Sequence, residues 1–112
     1  MDRLKVILLV TIPTIETSLK ELLKSVPFVD LIDHDVNNTH NALGLVYAQQ
    51  PDIILLGNDF PGIDPNTFTQ QLRKDFASIQ VIIIAEVASV ESVRLAMRAG
   101  ACDFISYKNL TA

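Results

Sequence analysis

Carboxylates and imidazoles are the side chains in this chain best suited to chemistry, and they gather in two places. Asp33, His34, Asp35 and His40 lie close together in a composition that could ligate a metal ion. The two histidines are six positions apart, in a stretch expected to be loop and then helix, and no companion ligand set accompanies them. The reading is therefore a solvent-facing polar loop. The second place is the segment Pro51-Asp-Ile-Ile-Leu-Leu-Gly-Asn-Asp-Phe-Pro-Gly-Ile-Asp64, where an apolar run ends at Gly57 and Asn58 and Asp59 follow. Those two read as solvated loop residues, or as an Asx-type cap ahead of Pro61-Gly62. Cys102 is the single cysteine, so it forms no internal disulfide and is expected as a buried reduced thiol. Gly44 and Gly57 belong to no phosphate-cradling pattern, since neither Gly-x-Gly-x-x-Gly nor a P-loop occurs.

Composition bounds what these residues can serve. The chain has 112 residues, 49% hydrophobic and 20% charged, with no Trp, which fits one compact domain over residues 1–112. A net charge of −4 with interspersed signs gives no footprint for a phosphate backbone, so no direct nucleic-acid contact is expected of this segment. The apolar runs Val6 to Val10 and Val81 to Ala85 are far shorter than the ~20 residues of a membrane span, and a cytoplasmic domain without membrane insertion is expected.

Short apolar runs alternate with segments of helical period, the pattern of a parallel sheet covered on both faces. Strands are expected over Leu4–Val10, Phe28–Ile32, Ile53–Leu56, Val81–Ala85 and Asp103–Ser106. The first helix is expected over Pro13–Lys24, with Ile15, Leu19, Leu22 and Leu23 as its inward stripe. The second spans Asn38–Gln49, turning Ala42, Leu43, Val46 and Tyr47 inward and ending before the Gln50-Pro51 step. The third starts at Pro65 with Asp64 as its N-cap and buries Phe68 and Leu72. The fourth begins near Ser89, presents Val90, Val93 and Met97, and stops at Gly100. The fold class is α/β, a flavodoxin-like doubly wound five-stranded parallel sheet of order 2-1-3-4-5. The chain stops at Ala112, where a final helix would be truncated or absent, and this reads as an N-terminal piece of a longer polypeptide.

Three stretches carry a resemblance to response-regulator receiver domains: Lys5-Val-Ile-Leu-Leu-Val10, Pro51 to Asp64, and Arg98-Ala-Gly-Ala-Cys-Asp-Phe-Ile105. The resemblance implies an acidic pair for Mg²⁺ after the first strand, an acceptor Asp after the third, a Ser or Thr after the fourth and a Lys after the fifth. Here Thr11 and Ile12 stand at the acidic pair, Gly57 at the acceptor and Ala85 at the hydroxyl, with Glu86 beside it to repel phosphoryl oxygens. Tyr107 is in register with the Lys, and Lys108 falls one residue late. Asp59 could be considered a displaced acceptor, but the loop reading is preferred. The resemblance thus implies a pseudo-receiver with no catalytic residue, no metal and no cofactor.

It also implies a protein-interaction face on the fourth helix and fifth strand, comprising Glu91, Arg94, Arg98, Phe104 and Tyr107, that serves self-association into a homodimer or docking. Phe104 lacks a hydroxyl and reads as a core aromatic. The run Val90 to Ile105 further resembles the receiver of TadZ/CpaE pilus-assembly proteins, which implies a following MinD-like ATPase domain and recruitment through partners to the membrane or cell pole. Three functions stay open: a phosphorylation-independent interaction module, a phosphotransfer receiver controlling transcription, and a small-ligand domain using Thr11, Asn58 and Tyr107 in the vacated pocket.

Overall fold

Continuous Ile, Leu and Val runs can pair as strands only where both faces of the sheet are covered, and this requirement organises the chain. The computed structural model describes residues 3–32, 34, 39–62 and 64–108. In order, the elements are β1 (Leu4–Leu9), α1 (Pro13–Lys24), β2 (Val29–Leu31), α2 (Thr39–Gln49), β3 (Ile53–Gly57), α3 (Pro65–Asp75), β4 (Gln80–Ala85), α4 (Val90–Ala99) and β5 (Asp103–Ser106). The strands form one parallel sheet in the order β2-β1-β3-β4-β5, as expected. Strand ends differ from expectation by a residue or so, and β3 runs on to include Gly57. The expected helix start at Asn38 and any helix after β5 lie outside the described residues.

Side chains alternate across the central strands, so one core forms on each face. Ile7, Leu9, Ile54, Leu56, Val81 and Ile83 pack with Ala42 and Val46 of α2, Phe68 and Leu72 of α3, and Ala96 of α4. On the other face Val6, Leu8, Val10, Leu55 and Ile84 pack with Ile15 and Leu19 of α1. Each of the fully buried Ile and Leu side chains contributes about 1.5–3 kcal/mol relative to an exposed one. Phe104 packs against the first core, as a core aromatic should.

Caps set the helix ends. The Asp64 carboxylate accepts from the Thr67 amide and hydroxyl at the start of α3. Ser89 and Ser92 form a reciprocal capping box at the start of α4. Gly100 ends α4 at φ 108°, in the left-handed region. Arg73 of α3 then locks this corner, donating from Nε to the Gly100 carbonyl at 2.8 Å and from Nη1 to the Ala77 carbonyl at 3.0 Å.

Several inward-facing assignments are corrected. Leu22 is exposed, so the α1 stripe narrows to Ile15 and Leu19 with Leu23 partly buried. Tyr47 is exposed, its ring tilted against Phe76 with centroids 5.0 Å apart and its hydroxyl donating to Asp75. In α4 the buried residues are Ala96 and Ala99, while Val90 and Met97 face outward and Val93 is half-buried. At about 3.6 residues per turn, residues 90 and 97 lie roughly a third of a turn from residue 96, so a helix seated on its alanines turns them away. Cys102 is exposed because Ala101 takes the buried position at the mouth of β5.

An added Cβ at Gly100 would lie 2.7 Å from Arg73 Cγ, on a backbone already at positive φ, whereas at Gly44 in α2 nothing lies within 4 Å. Gly100→Ala should therefore lower unfolding free energy by ~1–3 kcal/mol. Gly44→Ala should raise it by ~0.5–1 kcal/mol. Urea unfolding midpoints of the two variants, moving in opposite directions, check both.

Candidate functional site

The carboxyl ends of β1, β3, β4 and β5 meet at one edge of the sheet, the edge at which doubly wound folds place their ligands. Gly57, the last residue of β3, pairs with Ile84, and the next amide, Asn58, donates to the Ile84 carbonyl at 2.7 Å. Phe60 returns at once to the core, its amide bonded to the Gly57 carbonyl at 3.1 Å. The turn between them is therefore tight, and it carries Asp59 back over the strand end. A Cβ on Gly57 would lie 3.2 Å from Asp59 Oδ1 and 3.2 Å from the Leu9 carbonyl oxygen. The place a side chain of residue 57 would leave from is thus crowded by a carboxylate and a backbone carbonyl.

Tyr107 follows β5, its amide donating to the Ala85 carbonyl at 2.8 Å. The Ser106 hydroxyl donates to the Glu86 carbonyl at 2.7 Å, tying the loops after β4 and β5 together. Asn58, Asp59, Ala85, Glu86 and Tyr107 line a cleft of about 210 Å³. Two carboxylates rim this cleft, so it disfavours an incoming phosphoryl group. Tyr107 is a residue of intermediate exposure, and its hydroxyl has its pKa raised above the ordinary 10.0, first by desolvation and then by the charges of Glu86 and Asp59.

Of the residues singled out in sequence, Ala85, Asn58 and Tyr107 come together here, and Gly57 is buried beside them. Thr11 and Ile12 do not line the cleft: Thr11 is exposed, and Ile12 packs against the α1 core. Ile12 is the N-cap residue of α1, its carbonyl accepting from the Glu16 amide, which turns the chain into the helix. One exposed hydroxyl and an isoleucine do not fit Mg²⁺, which takes oxygen ligands, carboxylates foremost, in near-octahedral array. β5 ends at Ser106, so Lys108 follows in an exposed turn and is not carried onward by a strand. Asp59 read in sequence as a solvated loop residue; it is exposed, yet its carboxylate folds over Gly57. The signal lay in the spacing from Gly57 to the buried Phe60, too short for an open loop.

His34 departs from the solvent-facing reading, since it is half-buried and its Nε2 donates to the Leu8 carbonyl at 2.8 Å. Asp33, Asp35 and the His40 side chain lie outside the described residues. Among the described residues no group of three or more His, Cys, Asp or Glu is placed to hold a metal ion. Nor, among them, is any helix long and apolar enough to cross a membrane.

The fold and this strand-end cleft are those of a receiver-type domain. The chain belongs to the response regulator receiver domain family, whose pattern matches residues 7–110. It is 31% identical over 72 residues to the transcriptional activator protein ExaE of Pseudomonas putida, covering 64% of this chain and 34% of that protein. It is 26% identical over 101 residues to DctR of Bacillus subtilis, named a probable C4-dicarboxylate response regulator, covering 90% of this chain and 44% of that one. The chain therefore spans less than half the length of either relative. Its fold superposes on the signal receiver domain of NarL from Mycobacterium tuberculosis with a TM-score of 0.84, at 22% identity, over 95% of this chain and 85% of that one.

Because neighbouring carboxylates favour the neutral phenol, removing them should lower the Tyr107 pKa. Spectrophotometric titration should show Glu86→Gln producing the larger drop and Asp59→Asn the smaller, with Tyr107 staying above the ordinary 10.0 in both because desolvation remains. An unchanged titration in Glu86→Gln would contradict this electrostatic picture.

Proposed function

We propose that this domain is the receiver of a longer response regulator that controls transcription, and that it works without aspartyl phosphorylation. The observation that carries the second half is the closure of the β3 end. Gly57 offers no carboxylate, and Asp59 and the Leu9 carbonyl occupy the approach to it. Asp59 is a poor substitute acceptor, because the cleft it borders also holds Glu86 and none of the described side chains lining it carries positive charge. Phosphoryl transfer needs developing charge to be neutralised, and this cleft adds to it.

Signalling then runs through protein contact. The side of the domain formed by α4 and the end of β5, with Glu91, Arg94, Arg98 and Tyr107, is the interaction face; Phe104 lies partly buried behind it. Likeness to a transcriptional activator supports the transcriptional reading over the pilus-assembly one, since neither curated relative named above is a pilus protein. Any contact with DNA falls to other parts of such a protein, because this domain is net acidic at −4. A cytoplasmic place follows from the same reading.

Incubation with acetyl phosphate and Mg²⁺, read by intact mass, should leave the domain unmodified, and a phosphoryl adduct at Asp59 would overturn the proposal. Gly57→Asp should also stay unmodified while losing ~1–3 kcal/mol of stability, the usual penalty for overpacking a closed site. An adduct on that variant would show that one restored carboxylate suffices.

A further inference from the structure

The lining that makes the strand-end cleft hostile to anions suits a group of the opposite sign. Asn58, Asp59, Ala85, Glu86 and Tyr107 enclose about 210 Å³. That is below the ~300 Å³ at which pockets for drug-sized ligands begin, so the cleft admits a head group and not a whole ligand. Beside the two carboxylates, the Asn58 carboxamide adds a neutral acceptor oxygen. Tyr107 adds an aromatic ring, held in place by packing against the α1 side of the sheet. Both carboxylates lie near enough to this residue to hold its proton, so the three groups converge on one space. Among the described residues the ion pair joins Lys20 to Glu16 and involves neither Asp59 nor Glu86. The cleft thus gathers negative charge and an aromatic surface with no described cation to match them.

We infer that this cleft is a binding site for a guanidinium group, carried by a small molecule or by an arginine of a partner protein. A guanidinium is planar and presents its N–H donors as a fork, which can serve carboxylates from two loops at once. It is weakly hydrated and stacks on aromatic rings, so an open cleft with a tyrosine in its wall can take it from water. An ammonium is a compact, strongly hydrated point charge and matches these spread acceptors less well. Mg²⁺ is disfavoured on other grounds. It gives up its water reluctantly and wants oxygen ligands in near-octahedral array, and among the described residues no group of three or more metal-ligating side chains is placed to hold an ion. Guanidinium binding depends on the cleft alone and does not require the transcriptional reading.

Tyrosine absorbance reports the site directly, because Tyr47→Phe leaves Tyr107 as the single tyrosine. A cation beside the hydroxyl favours the phenolate, and a guanidinium keeps its own charge through that titration. Methylguanidinium should therefore lower the Tyr107 pKa saturably, and sodium chloride at equal ionic strength should not. At neutral pH the backbone amide shifts of Asn58, Glu86 and Tyr107 should saturate with the same probe, and methylammonium should bind more weakly. Glu86→Gln and Asp59→Asn should each weaken methylguanidinium binding about three- to tenfold, the loss of one charged contact at a partly open site. A capped glycine peptide with a central arginine that binds more tightly than free arginine would assign the group to a partner protein, and the reverse order to a small molecule. A response to methylguanidinium no different from that to sodium chloride, saturation indifferent to both carboxylate changes, or methylammonium bound as tightly would each overturn the inference. Acetyl phosphate labelling is a separate readout: an adduct at Asp59 sinks the phosphorylation-independent reading, whereas the methylguanidinium titration alone decides this one.

Discussion

At the end of β3 the chain has almost no lateral room. On one side is the carbonyl of Leu9, fixed because β1 is paired to β3 through Leu9 and Leu56. On the other is the carboxylate of Asp59, brought back by the need of Phe60 to re-enter the core one residue later. A Cβ at residue 57 would press on both at 3.2 Å, and the exposed Asp59 side chain would have to yield by a few tenths of an ångström. The same two demands, a sheet buried on both faces and a loop anchored by an aromatic, place Asn58 and Asp59 at the rim of the cleft and so decide what the cleft can hold.

The cleft inherits an unfavourable charge balance. Asp59 and Glu86 leave from neighbouring strand ends, and both charges act on Tyr107, whose proton is held more tightly than usual. Around this opening the described side chains offer two carboxylates, the Asn58 amide and the Tyr107 phenol, whereas an anionic group would need cations as well. The receiver fold places this cleft at the strand ends, and its charge balance follows from the residues that line it.

The scaffold was legible because its signals are local and agree with one another. Apolar runs marked the strands, Asp64-Pro65 marked the start of α3, and Gly100 marked the end of α4 at a left-handed position. Which side of a helix faces inward was harder to read. Sequence periodicity takes the larger apolar residues as the buried ones, yet α4 rests on Ala96 and Ala99, with Val90 and Met97 turned outward. Likewise Cys102 yields the buried position to Ala101. The identity of the strand-end residues was readable by register, but their meeting was not. Thr11 and Ile12 stand at the end of the right strand and still miss the cleft, because the chain turns there into α1. The fold of Asp59 over Gly57 depends on the geometry of one turn, which residue types alone do not encode.

The central claim is that the strand-end cleft has no productive affinity for magnesium or a phosphoryl group. Amide chemical shifts of Gly57, Ala85 and Tyr107, followed by NMR as Mg²⁺ and then beryllofluoride are added, test it most directly. The account predicts shifts that do not saturate and stay no larger than those of distant surface amides. Saturable shifts confined to these three positions would contradict it.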